Sequence, residues 1–290
     1  MGIPHRRVRR DMLPIAVLVV MATTILSGPS AVLAQGGDEV DLSFDFESDA
    51  QGWMVGFADL PVDYDNSIYE LDHQHRTLPD GLEGSGIYVQ GHNRSDDLFV
   101  FLKRRVDGLK PNTTYAVSVS IDLATNVSAG LIGIGGSPGE SVFVKAGAST
   151  VEPLAKEDGN RYLRMNSDKG NQSRGGESMV VLGNVAHPGV QKREYRIKAL
   201  NNGGLHLSVT TDSEGAVWLI VGTDSGFEGL SGLYYDRIAY TLSPVPVEPP
   251  STPRTGGYGP PLWALALIGG FSVALAGLGI VVVLRRRAMS

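Results

Sequence analysis

The chain of 290 residues contains no cysteine. Disulfides, thiolate nucleophiles, zinc–thiolate sites and iron–sulfur clusters are therefore excluded. Histidine is scarce, with six in all. His73 and His75 could share one strand face as metal ligands, but no third ligand is spaced to match them. No G-x-S-x-G nucleophile motif is present, and the glycine-rich run at residues 133–139 lacks the lysine and following helix of a phosphate-binding loop, so it reads as a turn. Positive charge is also short. Between residues 35 and 243 there are 17 lysines and arginines against 29 carboxylates, a net charge of −12. Such a surface does not suit nucleic acid, whose phosphates need surplus cations. Helical periodicity is nearly absent from residues 38–243.

What is present begins at the two ends. His5-Arg6-Arg7-Val8-Arg9-Arg10 is a cationic leader, residues 12–25 are mostly apolar, and Val32-Leu33-Ala34 supplies a cleavage site before Gln35. This is the pattern of a secretory signal peptide over residues 1–34. Its apolar run falls short of the ~20 residues a membrane span needs, which sets it apart from an uncleaved anchor. At the other end, residues 262–284 form a 23-residue stretch without charge, followed by Arg285-Arg286-Arg287 in a basic tail over residues 285–290. That length crosses a ~30 Å hydrocarbon core as one transmembrane helix, and the arginines place the tail in the cytoplasm and the bulk of the chain outside.

Residues 244–261 hold seven prolines and read as an extended stalk. Within it, Thr252-Pro253-Arg254-Thr255-Gly256-Gly257, followed by an apolar span and a basic tail, resembles a degenerate sortase sorting signal with Thr252 in place of the leucine. The resemblance implies recognition through Pro253, Thr255 and Gly256, cleavage after Thr255 and covalent linkage to a cell wall. The same segments without cleavage leave a single-pass surface protein. The span and the arginines serve both outcomes, and only the pentapeptide distinguishes them.

Residues 35–243 suffice for one sizeable domain. Short apolar or alternating runs recur through them, separated by Gly, Asn, Asp and Pro: residues 42–46, 98–106, 115–121, 129–134, 141–145, 179–182, 194–199, 205–210, 217–221 and 233–242. Many short strands with turn signals between them predict an all-β fold, an antiparallel β-sandwich or jelly roll. The segment 107–115 predicts a corner between two neighbouring strands of opposite direction, with Leu109 plugging the sandwich end. Trp53 and Trp218 are expected in the core.

Three segments, in the expected order, carry a resemblance. Phe44-Asp45-Phe46-Glu47-Ser48-Asp49-Ala50-Gln51-Gly52-Trp53 is similar to the first strand and turn of carbohydrate-binding jelly-roll modules of galactose-binding-like fold. The corner Gly108-Leu109-Lys110-Pro111 with Thr113 and Tyr115 is similar to theirs, and Leu233-Tyr234-Tyr235-Asp236-Arg237-Ile238 resembles their last strand. The resemblance implies a glycan partner and a structural calcium ion held by Glu47 and Asp236, with backbone carbonyls completing a hard oxygen shell.

Glycan binding requires aromatic faces beside polar groups. Tyr64 and Tyr69 lie in the long irregular stretch 58–84, and stretches of that length in a small domain are often functional. In Arg161-Tyr162-Leu163-Arg164-Met165-Asn166 an alternating strand would put Tyr162, Arg164 and Asn166 on one face. The alternatives are tyrosines packed onto the sheet and an ordinary solvated strand face. Asp224 and Glu228 could pose as paired carboxylates of a hydrolase or lyase, though their glycine-rich setting favours a turn. The sequence thus reads as a non-catalytic, exported and surface-anchored sandwich that binds glycan or another wall or matrix component, with a structural or adhesive protein as the alternative.

Overall fold

Alternation in the sequence becomes alternation in space. In residues 114–125 the side chains of Tyr115, Val117, Val119, Ile121 and Leu123 are buried on one face, while the intervening residues look outward. The computed structural model describes residues 35–36, 39–191 and 194–246. The signal peptide, nearly all of the stalk, the apolar span, the basic tail and the sorting-signal residues Pro253, Thr255 and Gly256 lie outside the described residues. Among the described residues no helix is long and apolar enough to cross a membrane.

In chain order the elements are β1 (Gln35–Gly36), β2 (Glu39–Phe44), β3 (Met54–Ala58), β4 (Leu60–Pro61), the one-turn α1 (Asn66–Tyr69), β5 (Asp72–Thr77), β6 (Ser85–His92), β7 (Leu98–Val106), β8 (Thr114–Thr125), β9 (Val142–Ser149), β10 (Ala155–Glu157), β11 (Tyr162–Met165), β12 (Met179–Asn184), β13 (Arg196–Asn201), β14 (Ser208–Thr210), β15 (Val217–Ser225) and β16 (Leu230–Pro244). They form an eight-stranded sheet centred on β16 and β8, a five-stranded sheet in the order β12-β9-β15-β7-β3, and a three-stranded sheet in the order β10-β11-β4. Every strand pairing is antiparallel.

The main core lies between the two large sheets. Val117, Val119, Ile121, Leu233, Tyr235 and Tyr240 from the eight-stranded sheet meet Val100, Leu102, Val144, Leu219 and Val221 from the five-stranded one. A second, smaller core covers the other face of the five-stranded sheet. Ala58, Phe99, Phe101, Met179 and Ile220 pack there with Ala155 and Met165 from the three-stranded sheet. The molecule is therefore a sandwich with a cap, and residues 150–178 supply most of that cap.

Three expectations need correction. The corner at residues 107–115 does not join hydrogen-bonded neighbours, because β7 and β8 belong to different sheets. It arches across the sandwich end, with Leu109 buried as expected and the Tyr115 hydroxyl accepting the Lys110 N–H at 3.0 Å. Asn112 makes the bend with φ +48°. Residues 129–134 form no strand: glycines interrupt the run, and Ile132 is 97% exposed. Trp53 is buried, but Trp218 faces away from the main core and is only partly covered, with the Lys103 ammonium 5.4 Å from its ring.

Strand register gives the sandwich two distinct ends. At one, Pro244 pairs with Tyr115 and the Val245 N–H bonds to Thr114 O, and here the chain leaves the domain. At the other lie Leu230 opposite His92, Ser225 opposite Leu98 and Val142, and Ala58 opposite Phe99. β8 alone separates the ends by 12 residues, about 40 Å at ~3.3 Å per residue.

Candidate functional site at the far end of the sandwich

The end opposite the chain exit gathers the tyrosines chosen from the sequence. β3 runs out at Ala58; β4 then pairs with β11, placing Tyr162 opposite Pro61, and α1 follows directly. The Asp65 side chain caps α1 by accepting the Ser67 N–H at 2.8 Å. The helix turns Tyr69 inward. Its ring is 4% exposed and meets the Tyr64 ring edge-on at a centroid distance of 5.8 Å. Tyr69 thus offers no free ring face, which corrects the expectation for it; burial pushes its hydroxyl pKa up. Tyr64, at 37% exposure, keeps part of its ring in solvent. Tyr162 is half-buried, and the Arg164 guanidinium lies 4.7 Å from its ring centroid. The alternation of β11 does put Tyr162 and Arg164 on one face. Asn166 does not join them. Its amide is consumed within the cap, accepting the Leu154 N–H and donating to Glu152 O, each at 2.8 Å.

Arg164 connects this surface to a buried ionic cluster that the sequence reading missed. Arg164 Nη1 is 2.9 Å from Asp59 Oδ1. Lys169 Nζ lies 2.9 Å from Asp59 Oδ2 and 2.8 Å from Asp224 Oδ2, and Lys145 Nζ lies 2.7 Å from the same Asp224 oxygen. Lys145 also donates to Lys169 O and Arg174 O, and the Gln172 N–H donates to Asp224 Oδ2 at 2.8 Å. Both side chains of the Lys145–Asp224 pair are fully buried. Asp97 completes the cluster. Its Oδ1 and Asp224 Oδ1 are both buried with no donor from another described residue, and the two carboxyl groups, with oxygens within 4.8 Å, are coupled through a side-chain hydrogen bond. Burial, that hydrogen bond and the Asp224 charge push Asp97 up to about 7. Burial alone would raise Asp224 too, but Lys169, the Asp97 bond and Lys145 outweigh it and hold it below the usual range. Burial would lower Arg164, but Asp59, Asp97 and Asp158 hold it up.

Carboxylate oxygens of Asp59, Asp97 and Asp224 lie within 4.8 Å of one another, an arrangement that could hold a metal ion. Here the Lys169 ammonium bridges two of them and supplies the compensating charge. The cluster is a clamp that ties residues 166–174 to the sheet. It also removes Asp224 from the hydrolase reading, because a fully buried, doubly ion-paired carboxylate cannot face a cleft. A signal was present in the sequence: Lys145 and Asp224 each interrupt a run that is otherwise apolar or small, Val-Phe-Val-Lys-Ala-Gly-Ala and Trp-Leu-Ile-Val-Gly-Thr-Asp. A charge inside a buried strand requires an opposite charge beside it.

The expected calcium ligands lie elsewhere. Glu47 is exposed and Asp236 half-buried on β16. Burial, Asp122 and Glu47 together raise the Asp236 pKa, which places the three carboxylates in one electrostatic neighbourhood. The carbonyl of the adjacent Phe46 meets His75 Nε2 at 2.6 Å. Of the four N-x-S/T sequons in the sequence, the one at Asn93 is closed off, because Asn93 is buried and donates to Ser225 O at 2.8 Å. The far end also carries exposed aliphatic side chains, Leu131, Ile132, Ile134 and Leu230.

No family model matches the chain, and no curated protein matches it. Among solved structures it is similar to a chain from work on carbohydrate-binding modules of the β-sandwich superfamily, at 10% identity and a TM-score of 0.33, covering 70% of this chain and 61% of that one. It is also similar to a xylan-binding module, at 14% identity and a TM-score of 0.32, covering 70% and 97%. A third is a carbohydrate-binding module studied for specific mannan recognition, at 10% identity and a TM-score of 0.31, covering 70% and 97%. At this level of similarity none of them assigns a ligand or a site to this chain.

Proposed function

We propose that the chain is an exported, surface-anchored, non-catalytic β-sandwich that binds a glycan or similar polyhydroxylated wall component at its far end. One observation carries the reading: Tyr64, Tyr162 and Arg164 gather at the end opposite the point where the chain leaves the domain. Half-exposed rings beside a guanidinium suit a sugar, whose C–H face packs on an aromatic while its hydroxyls accept hydrogen bonds. The domain's negative charge favours neutral polymers over anionic ones. The proline-rich stretch would link the domain to its anchor, whether the anchor stays in lipid or is exchanged for the wall by a sortase.

In the same reading Glu47 and Asp236 hold a structural calcium ion. Burial and the nearby carboxylates of Asp122 and Glu47 raise the Asp236 pKa, and Glu47 and Asp236 are hard oxygen donors suited to that ion. A glycan array probed with the full chain, with calcium and with EDTA, tests both parts. Binding lost in Tyr162→Ala supports the site, and a melting temperature lowered by EDTA supports the cation. A second reading, a purely adhesive protein, draws on the exposed Leu131, Ile132 and Ile134. It predicts protein capture without glycan binding.

A further inference from the structure

We infer that Lys145 and Asp224 are the two ends of an intramolecular isopeptide cross-link, closed autocatalytically with Asp97 as the acid. This goes beyond glycan display and does not depend on it. The Lys145 amine and the Asp224 carboxyl are 2.7 Å apart, both fully buried, on adjacent strands of the five-stranded sheet. Lys145 sits opposite Gly222, two residues from Asp224, so the long side chain reaches the carboxyl diagonally across a neighbour with no side chain. Such a fixed, dry contact supplies the proximity that amide formation lacks in water.

The surrounding groups take the roles the reaction requires. Burial lowers the Lys145 pKa, so its ammonium gives up a proton more readily than an exposed lysine. The Gln172 N–H and the Lys169 ammonium, each 2.8 Å from Asp224 Oδ2, stabilise negative charge on that oxygen. Asp97 holds its proton near neutral pH, its carboxyl group lies within 4.8 Å of that of Asp224, and Asp224 Oδ1 is buried with no other donor among the described residues. Lys169 is the weaker nucleophile: burial would lower its pKa too, but Asp224, Asp59 and Asp97 hold it protonated.

The atoms balance as follows. One ammonium proton of Lys145 moves onto the Asp224 carboxyl group and comes to rest on Oδ1. The free amine attacks Cγ, and charge develops on Oδ2 between Gln172 N–H and Lys169. Asp97 then donates its proton to Oδ1, the Cγ–Oδ1 bond breaks, and water leaves. Asp97 takes back a proton from the new amide nitrogen. The net change is ammonium plus carboxylate to amide plus water, with no oxidant, reductant or co-substrate. The bond would join β9 to β15 in an exported chain that has no cysteine to make a disulfide.

Peptide mapping of the purified, denatured full chain by mass spectrometry tests the proposal. The expected result is one branched peptide containing Lys145 and Asp224, lighter by one water than its two parts, and two separate linear peptides in Asp97→Asn. Because the wild-type chain alone answers the first question, a poorly folding variant does not obscure it. Separate linear peptides from folded wild-type protein would overturn the proposal. A cross-link through Lys169, or one that survives intact in folded Asp97→Asn, would overturn its assignment of nucleophile or acid.

Discussion

Arg164 holds Asp59 and Tyr162 at once: its Nη1 is 2.9 Å from Asp59 Oδ1, and its guanidinium lies 4.7 Å from the Tyr162 ring centroid. The half-exposed ring of the proposed binding face is thereby linked to a buried carboxylate. A binding surface gains from such support, since a side chain already held in place loses less freedom when ligand arrives. Replacing Arg164 by Ala should therefore weaken ligand binding about tenfold or more. It also strips one partner from buried Asp59 and should lower stability by about 1–3 kcal/mol. Arg164→Lys keeps the charge but not the planar stacking, so it should restore stability more than affinity. Calorimetric titration and thermal melting separate the two effects.

Tyr64 and Tyr69 should behave differently although their rings touch. Tyr69→Ala empties a buried site and should destabilise the domain by ~3–5 kcal/mol, the range for large aromatic truncations. Tyr64→Ala should leave melting within ~1 kcal/mol of wild type and reduce glycan affinity. Denaturant unfolding of the two variants checks the contrast.

Asp97 gives the domain an acid-side stability preference. Its folded pKa of about 7 lies above the ordinary carboxylate value of 3.8, so the folded state binds a proton that the unfolded state has released. That contribution is fully present below about pH 4 and is lost as pH rises through 7, about 4 kcal/mol at most across the window. Burial is the largest cause and acts whether or not Asp224 is cross-linked; the Asp224 hydrogen bond and charge add to the shift only while that carboxylate is free, so the cross-linked chain should show a smaller fall. Asp97→Asn should flatten the fall in stability between pH 4 and 7, as read from urea midpoints at each pH.

Calcium should raise the melting temperature through Glu47 and Asp236. At a free concentration 100 times its dissociation constant the gain is ~2.7 kcal/mol. Asp236→Asn should abolish the calcium response while removing some charge repulsion, so the metal-free variant should melt no lower than metal-free wild type. Differential scanning calorimetry with and without EDTA distinguishes these outcomes.

The strands most legible in the sequence were those with one wet face or a full apolar run. β7 falls on residues 98–106 as expected, and the alternation of β8 and the closing run of β16 were equally clear. β5 was hidden because an edge strand, Asp-His-Gln-His-Arg-Thr, has little to bury. β6 was hidden by glycines at Gly86 and Gly91, where the Tyr235 carbonyl and the Leu98 side chain leave no room for a Cβ. The glycine-broken aliphatics at residues 129–134 mimicked a strand because apolar composition alone does not reveal exposure. At the site, Tyr162 and Arg164 followed from the period of two. The burial of Tyr69 follows from α1 turning it into the main core, and the Lys145–Asp224–Asp97 cluster unites residues from β9, β15 and the approach to β7 that only the sheet order brings together.

The central claim is that the far end of the sandwich binds glycan through Tyr64, Tyr162 and Arg164. The most direct measurement is a glycan array probed with the full chain and its Tyr64→Ala/Tyr162→Ala double variant, each first shown to melt normally. The account predicts a defined set of bound glycans for wild type and loss of that set in the variant. Undiminished binding by a folded double variant would contradict it, as would a wild-type chain that binds no glycan.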